Sequence, residues 1–488
     1  MCLLCYFYGI ILVNYFMKHA LNVTREQNFA DWYQEVVDKA DLAENSSTKG
    51  AMVVKPYGCA IWETIKNILD EKLKSLGVQN AMFPALIPVE LLEKEAEHIK
   101  GFAKECVVIT HHRLVEKNGK LEPDGELERP YILRPTSETI IGESFSKWVK
   151  SYRDLPLLIN QWANVFRWEM RTRMFLRTSE FFWQEGHCVF TNEKEADNNA
   201  RQMLEVYDDL LQNYYAICGI KGQKTEDEKF AGALKTYTIE TMMQDCKALQ
   251  TCTSHNLGQN FAHASEIKFT DESTKEQYAW TTSWGISTRS VGGLILSHSD
   301  DDGLVLPPRL APYQVVIIPV IHDENKRSDV INYCNKIKNS LNCRVFVDDS
   351  YETPQNKKWN WIRKGAPIRL EIGERDMNNN SIFFVKRTKL EEKNVLGFEE
   401  FVNTCQNILD EMQSYLLENT KKNLRNKTVI IDDLEKIEEA VKNSIMFLDI
   451  PEKFIGDKKL EDIMTKYALS FRCKPFDRAG RVIIAKSY

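Results

Sequence analysis

Residues 160–190 read NQWANVFRWE (160–169), MRTRMFLRTS (170–179) and EFFWQEGHCVF (180–190). Apolar and polar residues alternate on both sides of a basic segment, which predicts a β-hairpin with an arginine-rich loop. A period of two puts Arg167 and Glu169 on one face of the first strand. Such a pair is ordinarily a surface ion pair. Here the loop adds Arg171, Arg173 and Arg177, a charge density between apolar strands that folding alone explains poorly. Planar guanidinium forks match phosphates and carboxylates, so the segment reads as half of a triphosphate site.

Outward from the hairpin, Ile61, Ile65, Leu69, Leu73 and Leu76 recur at helical spacing, and Gly77 ends that helix. Ala81 to Ile87 reads as a strand bent at Pro84, residues 138–149 as a short helix and 193–217 as one long amphipathic helix. Strand-like runs then lead into the glycine-rich WGISTRSVGGLILSH, where Gly292 and Gly293 would let the backbone approach a ligand closely near Arg289. At Leu306-Pro307-Pro308 the pattern changes to strand–helix alternation: strand 313–320, helix 328–341, strands 344–348 and 368–372. That alternation signals a separate α/β domain, closed by a helix from Phe398 to about Leu417. The fold class is therefore multidomain, α+β followed by α/β. Its divisions are an apolar extension (1–16), a catalytic domain (17–305), an α/β domain (306–405) and a small C-terminal module (406–488).

Composition sets limits. At 488 residues, 43% hydrophobic and 27% charged, the chain is globular. Its net charge of −6 means that any nucleic-acid contact must come from local basic patches. The 12 cysteines are scattered, as free thiols of a reducing, cytoplasmic setting would be. Residues 1–16 are almost wholly apolar but shorter than the roughly 20 needed to span a bilayer. They also lack the features of a signal peptide; Met17 is the expected start, and no membrane association is expected.

Two further stretches carry candidate chemistry. In RPTSET, Thr136 and Glu138 precede a helix; they either cap it or present an acceptor and a negative charge to an ammonium group. In QTCTSH, Gln250 to His255 are closely spaced polar groups, although a lone His255 is more often an ordinary histidine.

Taken together, MVVKPYGCAIWE (52–63), ILRPTSETI (132–140), the 160–187 segment, KFAGALKTYTIE (229–240), TSHNLGQNF (253–261), TSWGISTR (282–289) and GLVLPPRLAP (303–312) resemble the prolyl-tRNA synthetases of class II, in the type without an inserted editing domain. The resemblance runs from about Trp32 to Phe401 and returns at the C-terminus, where Tyr488 matches a tyrosine that relatives direct back towards the catalytic domain. It implies a class II antiparallel sheet flanked by helices, and ligation of L-proline to tRNA(Pro) with ATP and Mg²⁺ through prolyl-adenylate. It also implies a homodimer with Pro84 at the interface.

The resemblance assigns Thr136 and Glu138 to the proline ammonium, and Arg167 to both the substrate carboxylate and the α-phosphate. Glu169 falls to the adenine, Arg177 and Thr178 to the nucleotide, Gln250 and Thr253 to ATP and magnesium, and Ser287 and Arg289 to the nucleotide. His255, Phe102, Trp183 and Phe230 fall to the proline pocket. Arg167 and Arg289 are the catalytic candidates.

The resemblance makes 306–405 an anticodon-binding domain, where Lys357, Lys358, Arg363, Lys364 and Arg369 form the basic cluster, with Arg363 and Lys364 the candidate contacts. A solvated basic face is the alternative. Relatives often bind zinc in the C-terminal module, but only Cys473 follows residue 405, so no zinc is expected. About sixty residues separate the hairpin from Gln250, too few for an editing domain, so alanine mischarging uncleared in cis is expected. Two rivals remain, a non-catalytic synthetase-like RNA-binding or regulatory protein and a class II synthetase for threonine or another small residue. The first conflicts with intact Arg167, Glu169 and Arg289, the second with the absence of a Cys/His zinc spacing.

Overall fold

Alternation in residues 157–190 produces the two strands it predicts. In the computed structural model, which describes residues 19–93, 106–443 and 446–488, β1 (Leu157–Phe166) and β2 (Glu180–Phe190) pair antiparallel from Leu157↔Val189 to Phe166↔Glu180. β1 stops at Phe166, so Arg167 and Glu169 lie in the loop and not on a strand face. One further bond, Arg167 N–H to Ser179 C=O at 2.9 Å, extends the ladder. The loop's tip then turns inward. Phe175 adopts φ 61°, Phe175 and Leu176 are buried, and the Tyr33 hydroxyl donates to the Met174 carbonyl at 2.8 Å. Apolar residues thus anchor a loop whose arginines stay outside.

Four strands widen this hairpin: β3 (Gly219–Gln223), β4 (Lys235–Met242), β5 (Ala248–Gly258) and β6 (Trp280–Ser287). A fifth, β7 (Ser470–Pro475), comes from the C-terminal module and pairs with β3 at Lys474↔Gln223 and Pro475↔Gly222. The result is one eleven-stranded sheet. Its order is Gln79–Asn80, β1, β2, β6, β5, β4, β3, β7, Arg481–Ala485, Phe447–Pro451, Thr428–Ile430. The module read as separate therefore continues the catalytic sheet.

Helices α1 (Pro56–Ser75), α2 (Glu138–Trp148) and α3 (Glu193–Leu210) surround it. On one face α3 buries Ala200, Met203, Leu204 and Tyr207 in a core shared with Tyr237, Ile239 and Cys252. The period of two leaves Thr236, Thr238 and Glu240 for the other face.

Three boundaries differ from expectation. Residues 81–85 are in no strand, because Pro84 cannot donate a ladder bond; Leu86–Pro88 instead joins a three-stranded sheet with Val107–Lys117 and Lys120–Leu133. The helix expected over 193–217 becomes π-helical at Leu211–Tyr215 and ends on left-handed Ala216. The glycine-rich segment after β6 is a helix, α4 (Arg289–His298). Its glycines face protein: a Cβ on Gly292 would meet Leu176 Cδ2 at 2.5 Å and one on Gly293 would meet Leu249 Cδ2 at 2.9 Å.

The second unit is a five-stranded sheet in the order Val345–Val347, Val315–Val320, Ile368–Gly373, Ser381–Lys386, Lys389–Gly397. Helices α5 (Arg327–Ser340) and α6 (Pro354–Arg363) supply the alternation read from sequence. Arg387 joins the units: its guanidinium donates to Asp300 Oδ1 and Oδ2 and to the Leu304, Ile362 and Gly303 carbonyls. The closing helix, α7 (Phe398–Asn426), runs past the expected Leu417. There its Thr420 hydroxyl donates to the Ala216 carbonyl at 3.1 Å, satisfying the end of the π-turn. Tyr488 turns back onto the start of β5, its N–H donating to Ala248 C=O at 3.1 Å and its hydroxyl to Asp245 Oδ2 at 2.7 Å.

Candidate active site

The open face of β2, β6, β5 and β4, with the start of α2, encloses a cavity of about 290 Å³. Ten of the residues singled out from sequence line it: Thr136, Glu138, Arg167, Trp183, Phe230, Gln250, Thr253, His255, Ser287 and Arg289. Glu169, Arg177 and Thr178 lie outside the lining, in the anchored loop. Glu169 and Arg177 pair there at 3.4 Å, and Thr178 is buried. Phe102 lies outside the described residues.

Strand register explains the grouping. Thr236 pairs with His255 and Thr238 with Thr253; after a bulge at Ile239/Glu240, Glu240 meets Gln250. These six side chains share the cavity face, whereas Tyr237 and Ile239 belong to the core. His255 is held by two partners: Thr236 Oγ1 lies 2.9 Å from Nδ1, and the Phe230 ring stacks at 4.7 Å. The Thr236 hydroxyl also accepts the Phe230 N–H at 2.9 Å, which ties the ring to the segment before β4. Burial drives the His255 pKa down to about 4, so the ring is neutral at pH 7.

At one end of the cavity the charges are acidic. The Thr136 hydroxyl donates to the Glu138 carboxylate. Ser137, at the N-cap of α2, makes no capping bond and instead donates to Glu185 Oε1 at 2.6 Å. Helix capping therefore does not account for RPTSET. Gln161 donates to the same oxygen at 2.5 Å, and His187 Nε2 lies 2.9 Å from Glu185 Oε2. Burial opposes the His187 charge, but the hydrogen bond and charge of Glu185 outweigh it and raise the pKa. Glu185 and His187 were missed from sequence, although they continue along β2 the alternate positions of Phe181 and Trp183 that line the cavity.

The other end is basic. The Arg167 guanidinium stacks over Phe181 at 5.5 Å, and its Nε donates to Pro135 C=O at 3.1 Å. Arg289 opens α4 and donates Nε–H to Leu176 C=O at 3.0 Å. Burial first, then the fields of Arg167 and Arg177, lower its pKa to about 10, which leaves it cationic at neutral pH. A cavity with carboxylates at one end and guanidiniums at the other orients a zwitterion and neutralises phosphate.

The basic cluster of the second unit is corrected by burial. Lys357 is buried and donates to the Asp348 carbonyl at 2.7 Å; Arg369 is buried against Glu371 at 3.1 Å. Lys364 Nζ lies 3.4 Å from Asp41 and over the rings of Tyr57 and Trp361, against the catalytic unit. The Arg363 backbone packs on Gly303 and accepts the Leu304 N–H. Lys357 and Arg369 therefore belong to no solvated basic face.

Residues 120–299 match the tRNA synthetase class II core domain (G, H, P, S and T), and residues 314–408 an anticodon binding domain. The chain is 50% identical over 476 residues to the proline–tRNA ligase of Bdellovibrio bacteriovorus, covering 94% of each chain. It is 45% identical over 479 residues to that of Akkermansia muciniphila, covering 95% of this chain and 94% of the relative. Among solved structures it resembles prolyl-tRNA synthetase from Cryptosporidium parvum, complexed with halofuginone and AMPPNP. The TM-score is 0.88 at 33% identity, over 96% of this chain and 97% of that one.

Proposed function

This chain belongs to the proline–tRNA ligase family of class II aminoacyl-tRNA synthetases, and on that premise we propose how its residues divide the reaction. The enzyme attaches proline to tRNA at the expense of ATP. The bipolar cavity is the observation that carries the assignment of roles. Thr136 and Glu138 receive the secondary ammonium; the neutral His255 ring, with Phe230 and Trp183, walls the pyrrolidine without repelling its positive charge. Arg167 holds the carboxylate against the α-phosphate, and Arg289 with Ser287 takes the phosphate charge from α4. Glu169, Arg177 and Thr178 border the nucleotide from the loop. The carboxylate attacks the α-phosphate, diphosphate leaves, and a terminal tRNA hydroxyl then takes the prolyl group. No side-chain nucleophile is required; positioning and charge neutralisation lower the barrier.

Among the described residues no three His, Cys, Asp or Glu side chains cluster as a metal cage. Gln250 and Thr253 offer neutral oxygens at the cavity, a donor set that suits a Mg²⁺ held mainly by nucleotide phosphates and water. Such an ion would offset phosphate charge. Cys473 is buried, its thiol raised by burial, which supports a C-terminal module without zinc; stoichiometric zinc in purified protein would refute this.

We assign a homodimer to the surface beside exposed Pro84, where Met82 (93% exposed), Leu86 and Val108 leave apolar area open. Light scattering at the monomer mass would count against it. Ten free thiols among the described residues support a cytoplasmic setting, and among those residues no helix is long and apolar enough to cross a membrane. ATP–diphosphate exchange across all twenty amino acids tests substrate choice. Proline should dominate with weaker alanine activation, and exchange led by another amino acid would overturn it.

A further inference from the structure

Glu240 is fully buried on β4, on the cavity face. Both of its oxygens are engaged. Oε1 accepts from Lys224 Nζ at 2.8 Å and from the Thr238 hydroxyl at 3.0 Å. Oε2 accepts two bonds from Arg472, Nε at 2.9 Å and Nη2 at 2.7 Å. Lys224 and Arg472 are themselves buried. Arg472 stands on β7, 232 positions away in the chain.

A buried triad of this kind is an uncertain source of stability, because desolvating three charges offsets their attraction. Its placement is more informative. Glu240 pairs with Gln250 at the register shift between β4 and β5, and Thr238, which bonds Glu240, pairs with Thr253. A bulge leaves ladder groups unpaired and lets a strand bend, so fixing Glu240 fixes the aim of Gln250 and Thr253.

We infer that Arg472 is a positioning residue for the nucleotide half of the site: from the C-terminal module it locks Glu240, and through Glu240 the stretch of β5 that presents Gln250 and Thr253. Its field also reaches the site. Burial and the loop arginines dominate the lowering of Arg289, and Arg472 contributes to it. Proline-facing residues lie further along the strands, at Thr236 and His255, and His255 is held by Phe230 and Thr236, not by the triad. The module therefore tunes nucleotide use and leaves amino-acid selection alone. The inference rests on the reading of Gln250 and Thr253 as nucleotide contacts.

The test is exchange kinetics on Arg472→Gln, Arg472→Lys, Arg481→Gln and Gln250→Ala in the full chain, with melting curves for each. Arg481 pairs with Asp449 and Asp432 in the same module, away from Glu240, so its variant reports loosening of the module alone. The expected result is an ATP KM raised at least tenfold in Arg472→Gln, with the proline KM within twofold. Arg472→Lys should fall between that variant and the unaltered enzyme, and Arg481→Gln should keep both constants. Equal rises in both KM values, or an Arg481→Gln variant that reproduces the ATP defect, would overturn the inference. Should Arg472→Gln not fold, an unchanged ATP KM in Arg472→Lys would overturn it and a raised one would support it. If Gln250→Ala leaves the ATP KM unchanged, the nucleotide reading of Gln250 fails; a raised value there with a silent Arg472→Gln refutes only the inference.

Discussion

Arg167 and Arg472 approach one sheet face from opposite sides, and they are built differently. Arg167 stands on a loop beyond the end of β1, half-buried, stacked on Phe181 and open to the cavity. Arg472 stands within a strand, buried, with two donors spent on one carboxylate. A residue that must meet a ligand faces the cavity and is oriented by its flanks. One that shapes the sheet gives its donors to protein. The contrast teaches where to look for each kind of effect: chemistry at Arg167, geometry at Arg472.

The sharpest way to break the comparison is Arg167→Ala. Proline-dependent exchange should fall by about a thousandfold or more, the cost of losing a preorganised charge contact worth about 4 kcal/mol. The melting temperature should stay within about 2 °C, since the Arg167 ring contact is peripheral to the core. Retained exchange would remove Arg167 from the reaction.

Next in size is acid sensitivity. Burial depresses both His255 and His298 to about 4 in the folded chain. A depressed pKa means that the stability contribution is present above about pH 6.5 and is lost as pH falls towards 4, because the unfolded chain binds the proton first. The loss is on the order of 3 kcal/mol per histidine at most. Melting curves between pH 7 and 4 should fall steeply, and His298→Gln, remote from the cavity lining, should flatten part of that slope. A flat profile would refute the burial argument.

His255→Ala should raise the proline KM about tenfold or more, losing a polar ring wall worth about 1.5–2 kcal/mol, with the ATP KM unchanged. An ATP effect instead would place His255 in the wrong half of the cavity. Smallest is Lys364→Ala, expected to cost about 1 kcal/mol by denaturant titration from its contacts with Tyr57, Trp361 and Asp41. A raised tRNA KM with no loss of stability would identify Lys364 as an RNA contact.

Local pattern made the arginine end of the cavity legible, and the family resemblance supplied Trp183, Phe230, Thr253 and Ser287. Alternation marks which side chains of β2 point inward, and dense arginine in a loop marks its purpose. Glu185 and His187 obey the same alternation and went unread only because Glu-x-His has many ordinary explanations. The rest was not local. Nothing beside Lys357 in sequence signals its burial, because its partner Asp348 is brought to it by the packing of α6 on the sheet. The continuation of the sheet into β7 depends on pairs such as Lys474↔Gln223, hundreds of positions apart.

The 232 positions between Glu240 and Arg472 are also an interval of time. At roughly 5–20 residues per second of synthesis, β3 and β4 leave the ribosome roughly 10–50 seconds before β7 exists. Through that interval the carboxylate of Glu240 has Lys224 but lacks its second cation, and β3 presents an open edge. The open edge of the nascent catalytic sheet is therefore exposed to neighbouring chains until β7 covers it.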